Sequence, residues 1–229
     1  MKIAALVSGG KDSLFAAYKA GREHELVSLL SVKSENPHSY MFHTPNIDLV
    51  ELQAHAIGIP LVVRKTKGEK EKELKDLKQI IQKAGQEYKI QGIVTGALFS
   101  QYQKQRIDNI CRELNLKSLA PLWRMDPEQE MKELIKNNFK IIFSSIAAYG
   151  FDSSWLGRTI TGKDIDRLVE LNKKYRINIA GEGGEFESLV LDCPLFTKKL
   201  VIRDSKIIEE DKHTAKISIR KAELKKKTF

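Results

Sequence analysis

The clearest chemical signal in this chain is residues 8–13, Ser-Gly-Gly-Lys-Asp-Ser. They follow an apolar run that predicts a buried strand, and a helical stripe comes next. A glycine-bearing turn between a strand and a helix presents free N–H groups at the positive end of the helix dipole, so phosphate is the expected occupant. The common P-loop is excluded, because Ala5 stands where its first glycine would be and Asp12 follows the lysine.

A second cluster lies in residues 181–188, Gly-Glu-Gly-Gly-Glu-Phe-Glu-Ser. It places three carboxylates, those of Glu182, Glu185 and Glu187, on a predicted turn, where they suit a cation. Three glycines within four positions equally suit a simple turn with solvated acids. The residues alone leave both interpretations open.

The elements that position these clusters begin with βαβ units on a parallel sheet. Apolar runs predict strands over residues 2–7, 26–32, 61–66 and 92–95. Helices are predicted over 47–57, along the stripe from Leu74 to Ala84, and from Ser100 through Leu114, with Cys111 on the buried stripe. Because ligands bind beyond the carboxyl ends of parallel strands, residues 8–13 lie where a ligand is expected.

The remainder of the chain predicts a smaller α+β domain. Composition changes near residues 121–127, and we expect a first domain over 1–124 and a second over 125–229. Asp126, Pro127 and Gln129 predict a capped helix start. A strand over 140–146, a helix opening at 161–164 and strands over 189–191, 200–208 and 215–219 follow. The last two are predicted to form a hairpin that turns near Glu210 and Asp211.

Composition narrows the class of protein. A chain of 229 residues can bury a core without disulfides or a structural metal. Cys111 and Cys193 form no CxxC pair, which argues against zinc-ribbon and iron–sulfur sites. Five apolar residues before Ser8 are too few for a signal segment or membrane span, so we expect a cytoplasmic protein. The charge of +9 suits RNA, a nucleotide or an acidic protein surface.

The first motif resembles the PP-loop, SGGxDS, of ATP pyrophosphatases, which cleave ATP between its α and β phosphates. The resemblance implies that Ser8, Gly9, Gly10 and Ser13 cradle pyrophosphate, that Lys11 adds charge, and that Asp12 acts through Mg²⁺ or orders the loop. At the ends of strands two and four, the Val32 backbone is expected to meet adenine, and Gly96 to let the nucleotide pass close.

Four segments, residues 34–46, 96–106, 119–123 and 181–192, together resemble the diphthine-ammonia ligase family over nearly the whole chain. The resemblance implies ATP-dependent amidation of diphthine, a modified histidine of translation elongation factor 2. Ammonium is consumed, and AMP and pyrophosphate are released through an adenylated carboxylate. It also implies an adenine nucleotide alpha hydrolase-like α/β fold, a doubly wound parallel sheet that binds ATP and Mg²⁺, with a C-terminal substrate-binding domain.

The same resemblance assigns further residues. Glu182, Glu185 or Glu187 would hold the ammonium or trimethylammonium cation or serve as base, beside Gly183 and Gly184, and their individual roles stay open. The ring of Phe186 or Trp155 would offer an aromatic face to the cation. Tyr102 and Arg106 share a helix face, and Arg106 would meet a phosphate or the substrate carboxylate, or pair with an acid. His43 is a weaker candidate for the nucleotide site.

Two rival functions stay open from the sequence. A PP-loop enzyme that modifies tRNA, of the lysidine synthetase or thiolase type, would also use ATP and suits the basic charge. A sensor that binds AMP or ATP without turnover is the other. Elongation factor 2 and ammonium are the expected partners, nucleic acid and membrane are not expected, and a homodimer is left open.

Overall fold

The computed structural model describes residues 1–36, 47–69 and 73–227. These residues form two compact units. The first comprises residues 1–8 and 12–123, and the second comprises residues 9–11 and 124–229. In the described part of the chain, no helix is both long and apolar enough to cross a membrane.

The first unit is an α/β domain around a five-stranded parallel sheet with the order β3-β2-β1-β4-β5. Its elements are β1 (Lys2–Leu6), α1 (Lys11–Gly21), β2 (Glu25–Ser34), a 3-10 turn (Ile47–Leu49), α2 (Val50–Ile57), β3 (Leu61–Thr66), α3 (Glu73–Tyr88), β4 (Gly92–Val94), α4 (Gln101–Glu113) and β5 (Lys117–Leu119). The order confirms the predicted doubly wound class, because the chain starts in the middle, winds outward to β3 and then crosses back to β4.

Both faces of this sheet are buried. On one face, strand residues such as Leu30 and Ile93 belong to a core cluster that contains Leu77 and Ile107, from α3 and α4. Neighbouring strand residues such as Leu29, which point to the other face, are buried too. The continuous apolar strands predicted from the sequence are therefore those of a sheet covered by helices on both sides.

The second unit is an α+β domain with a four-stranded sheet, order β7-β6-β9-β8, whose neighbouring strands are antiparallel. Its elements are α5 (Pro127–Lys136), β6 (Lys140–Ala147), a 3-10 turn (Ser153–Trp155), α6 (Gly162–Tyr175), β7 (Phe186–Asp192), β8 (Lys198–Glu209) and β9 (Thr214–Lys226). The predicted hairpin is present, and Glu210 N–H donates to the Thr214 carbonyl across its turn. Asp126 caps α5 as predicted, with its carboxylate accepting from Gln129 N–H.

Candidate active site

The glycine turn leads directly into α1. Gly9 has φ 87°, a left-handed conformation that other residues rarely adopt, and the helix begins two residues later. In the first unit, Ser8 N–H donates to Ser13 Oγ at 3.3 Å, and the two hydroxyl oxygens lie 3.4 Å apart. Asp12 is the acidic residue of the first helical turn. The loop thus has the strand, turn and helix start that an anion site needs.

Residues 9–11 are bonded to β7 within the second unit. Val190 N–H donates to the Gly9 carbonyl at 3.1 Å, and Lys11 N–H donates to Ser188 Oγ at 3.1 Å. Ser188 follows Glu187 and is itself buried. The centre of the glycine turn is therefore held on the strand that begins at the end of the glutamate cluster.

The Lys11 side chain does not have the environment predicted for a charge that faces phosphate. It is buried, and its Nζ donates to Glu130 Oε2 at 3.2 Å and Oε1 at 3.4 Å. Glu130 is fully buried on α5. We therefore assign Lys11 to anchoring the turn. The sequence contained a signal for Glu130, which lies four residues before the buried Leu134 and so shares its helix face.

Gly96 contacts the start of α1 within the first unit. A Cβ atom added to it would lie 2.6 Å from Ser13 N and 2.7 Å from the Asp12 carbonyl carbon. Contacts this short with main-chain atoms require a glycine. The close approach that the structure shows at Gly96 is to the backbone at the start of α1, which the loop after β4 helps to position. The approach of the nucleotide to Gly96 stays a prediction.

The predicted adenine contact lies near the end of β2. Val7 N–H donates to the Leu30 carbonyl at 2.8 Å, whereas β2 continues to Ser34, beyond the last residue of β1. Val32 lies two residues after Leu30, so its peptide groups face the same side of the strand. Its side chain is buried in the core, which leaves the main chain for recognition. His43 lies outside the described residues.

The glutamate cluster forms a turn that one of its own carboxylates organises. Glu185 Oε1 accepts from Asn178 N–H at 2.7 Å, and Oε2 accepts from Gly183 N–H at 2.8 Å. Gly184 has φ 85°, which favours glycine. Glu182 is exposed. Glu185 thus holds the shape of the turn, whereas Glu182 faces solvent.

The Phe186 ring does not offer an open aromatic face, which corrects the predicted cation contact. It is buried and stacks on the Phe143 ring with centroids 3.9 Å apart, and a Cβ atom at Gly181 would lie 2.9 Å from its Cε2. Trp155, the other predicted aromatic, is fully buried, and its ring already receives the Arg167 guanidinium, whose carbon is 4.3 Å from the ring centroid. Both rings belong to the core of the second unit.

Tyr102 and Arg106 share one face of α4, as predicted. The Arg106 guanidinium carbon lies 3.4 Å from the centroid of the Tyr102 ring. Arg106 also lines a groove of about 550 Å³ with residues of α3, including Lys75 and Lys78. Contacts within the first unit therefore restrict the position of the Arg106 side chain against Tyr102.

The two thiols are buried. Burial is the main factor that raises the pKa of Cys111 to about 11 and that of Cys193 to about 12. Both are therefore protonated at neutral pH, and a protonated buried thiol is a poor nucleophile. Within the described residues, no group of three or more His, Cys, Asp or Glu side chains could hold a metal ion.

A doubly wound parallel sheet with a glycine turn at its first helix defines an α/β protein with a candidate anion site at that turn. The chain belongs to the diphthamide synthase family. Residues 1–118 match the model for the diphthamide synthase N-terminal domain, and residues 126–224 match that for the C-terminal domain.

Curated relatives named diphthine–ammonia ligase match most of the chain. A diphthine–ammonia ligase of Mus musculus is 36% identical, and the match covers 91% of this chain and 85% of that protein. The Saccharomyces cerevisiae protein is 30% identical, with 86% of this chain and 33% of that protein covered. A solved structure, a predicted subunit of tRNA methyltransferase from Methanocaldococcus jannaschii, covers 85% of this chain and 98% of its own at 17% identity and a TM-score of 0.43, which supports no functional argument.

Proposed function

We propose that this protein uses ATP to convert the carboxylate of diphthine, on translation elongation factor 2, into the amide of diphthamide. The proposal rests on one observation together with family membership: residues 9–11 of the phosphate-binding turn are bonded to β7, the strand that continues from the glutamate cluster. Residues 9–11 and the glutamate cluster therefore lie in the same unit.

The reaction proceeds in two steps. A carboxylate oxygen of diphthine attacks the α phosphorus of ATP, the bond between the α phosphorus and the bridging oxygen breaks, and pyrophosphate leaves. Ammonia then attacks the acyl carbon, and the bond from that carbon to the AMP oxygen breaks. Ammonium loses two protons in forming the amide. Exposed Glu182 and half-buried Glu187 are the side chains that we assign to holding the cation and accepting a proton.

The phosphate-binding turn supplies charge stabilisation. N–H groups at the start of α1 and the helix dipole meet the phosphates, with Ser8 and Ser13 lining the turn. Peptide groups of Val32 meet the adenine. Residues of the turn are assigned to ATP, and Glu182 and Glu187 to the acceptor and ammonium.

Asp12 fits Mg²⁺ that is held mainly by phosphates. Mg²⁺ retains several waters and takes one or two carboxylates together with substrate phosphates, so it needs no cluster of three acids. Asp12 is the acid of the first turn of α1, adjacent to the anion site. When bound, Mg²⁺ would neutralise charge on the phosphates.

The test is mass spectrometry of diphthine-bearing elongation factor 2 after incubation with the protein, ATP and ammonium. We expect a mass decrease of about 1 Da for conversion of the acid to the amide, with one AMP and one pyrophosphate per event. Asp12→Ala should abolish AMP formation and retain the fold, whereas the exposed-turn control Asp211→Asn should behave as wild type. AMP formation that needs tRNA would instead support the tRNA-modifying rival.

AMP or ATP binding without pyrophosphate release, with every acceptor tried, would support the sensor. Formation of ADP and orthophosphate would contradict cleavage of the inner anhydride. Each outcome therefore identifies one of the three functions or excludes all of them.

A further inference from the structure

The β8–β9 hairpin concentrates positive charge. Residues 198–227 contain eleven Lys and Arg against five Asp and Glu, a net charge of +6 out of +9 for the whole chain. β8 is an edge strand, and β9 pairs with β6 only through residues 214–216. Most of the hairpin is therefore a two-stranded ribbon whose long strands are exposed over much of their length.

Lysines face one another directly at the open end of this ribbon, away from its turn. Lys198 pairs with Lys226 and Lys199 pairs with Lys225 in the strand register. Side chains opposite one another in an antiparallel pair lie about 5 Å apart, so like charges there destabilise the pairing. Successive side chains of a strand point to opposite faces, so each face of the open end carries one of these two pairs. We call the four residues the lysine quartet.

No carboxylate forms an ion pair with the quartet in the described part of the chain. The nearest acid on this ribbon, Glu223, is bonded to Arg203 at 2.6 Å, which lowers the pKa of Glu223. Lys227 pairs with Asp192 at 2.6 Å. Arg203 and Lys227 of the hairpin thus form local ion pairs, whereas the quartet keeps its repulsive charge, an arrangement that an external polyanion would stabilise.

We propose that the lysine quartet docks an acidic surface of the protein substrate. This inference rests on the proposed function, which requires a macromolecular partner. Residues 198–227 contain no Phe, Tyr or Trp, so the ribbon lacks the stacking platforms that single-stranded nucleic acid uses. Nearer the turn of the same ribbon, exposed Ile207 and Ile208 offer apolar contact area to a partner large enough to span the ribbon, as a protein is.

The experiment exploits the register of the hairpin. The double variant Lys198→Glu/Lys199→Glu turns both repulsive pairs into attractive Glu–Lys pairs, so the hairpin should become no less stable while the site loses its positive charge. The matched control, Lys163→Glu/Lys173→Glu, makes the same change of charge at two exposed lysines near the two ends of α6, where the effects of the helix dipole on the new acids oppose one another.

Binding to diphthine-bearing elongation factor 2 is measured without ATP across a range of salt concentrations, and thermal unfolding is recorded for each variant. We expect Kd to rise at least about tenfold in the quartet variant, with a shallower salt dependence, and to change less than about threefold in the control. In the amidation assay, the KM for the factor should rise while kcat is retained.

The outcomes separate this inference from the proposed function. Wild-type amidation with unchanged binding by the quartet variant would overturn docking and leave the proposed function standing, and the quartet would then serve to protect an edge strand. Quartet-dependent binding without AMP formation would overturn the proposed function alone. If the quartet is needed to bind a 30-nucleotide single-stranded RNA and the protein does not bind elongation factor 2, the proposal of a protein partner is wrong.

Discussion

Nζ of Lys11 lies 3.2 Å from Oε2 of Glu130, and both side chains are buried. Lys11 follows the two glycines of the turn before α1, whereas Glu130 lies on α5, more than a hundred residues further along the chain. A buried ammonium requires a counter-charge, because desolvation is costly for an isolated ion. The pair therefore fixes the position of residue 11 and, through its N–H bond to Ser188, that of the turn.

Glu130→Gln should destabilise the protein by about 3 kcal/mol, because it removes the negative charge beside a buried ammonium. Lys11→Met/Glu130→Met replaces both charges with apolar groups of similar volume and should cost much less than the sum of the single variants. Urea unfolding at pH 7 measures both. If Lys11 anchors the turn without contacting phosphate, the double variant should form AMP within about tenfold of wild type. A loss of AMP formation as complete as that of Asp12→Ala would instead indicate that Lys11 contacts phosphate.

Gly96→Ala should destabilise the first unit and weaken ATP binding, because the new methyl group would lie 2.6 Å from Ser13 N. Main-chain atoms cannot move aside without displacing the start of α1, so we expect a cost of about 2 kcal/mol. Calorimetry of ATP binding and urea unfolding measure the two effects. Gly85→Ala is the control, because that glycine lies within α3 with open space around it, and alanine favours helix. Equal effects of the two variants would contradict the close-approach assignment.

Glu185→Gln should impair amide formation and spare ATP binding, because its carboxylate accepts N–H bonds from Asn178 and Gly183 and so shapes the glutamate turn. Glutamine keeps one of the two acceptor oxygens, and one lost acceptor costs about 1–2 kcal/mol. The expected signature is a raised KM for ammonium and lower stability. Glu182→Gln, at an exposed position, should affect amide formation without the loss of stability. A collapse of ATP affinity in Glu185→Gln would instead place the turn in the nucleotide site.

Asp164 should make the second unit sensitive to acid. Although burial opposes its ionisation, hydrogen bonds from Arg158 and Thr161 lower its pKa to about 2. Because this folded pKa lies below that of the unfolded chain, about 3.9, the carboxylate contributes about 2 kcal/mol of stability at neutral pH. That contribution should be lost as the pH falls from about 4 to about 2. Asp164→Asn should be less stable at pH 7, and its free energy of unfolding should change less over this range. Parallel pH profiles for the two proteins would contradict the assignment.

The bounds of helices and strands were predicted closely where the spacing of apolar residues and the helix-cap or turn residues indicated the same element. β3 has the predicted bounds, and α6 begins at the predicted cap, where Thr161 Oγ1 donates to Asp164 Oδ2 at 2.8 Å. β5 was not predicted, because its three residues are too few to show a period and include Lys117 and Ser118. Local patterns report local preferences, so a strand that exists mainly through its pairing with β4 leaves little trace.

The amino-acid sequence by itself determined the class of the fold and the two chemical motifs, because apolar periodicity, glycine turns and helix caps act over a few residues. Only the tertiary structure decided which distant residues meet. It bonded residues 9–11 to Val190 and Ser188, paired Lys11 with Glu130, and assigned Phe186 to an aromatic core. The physical reason is that burial of a charge or ring depends on the packing of segments far apart in the chain, which no local pattern encodes.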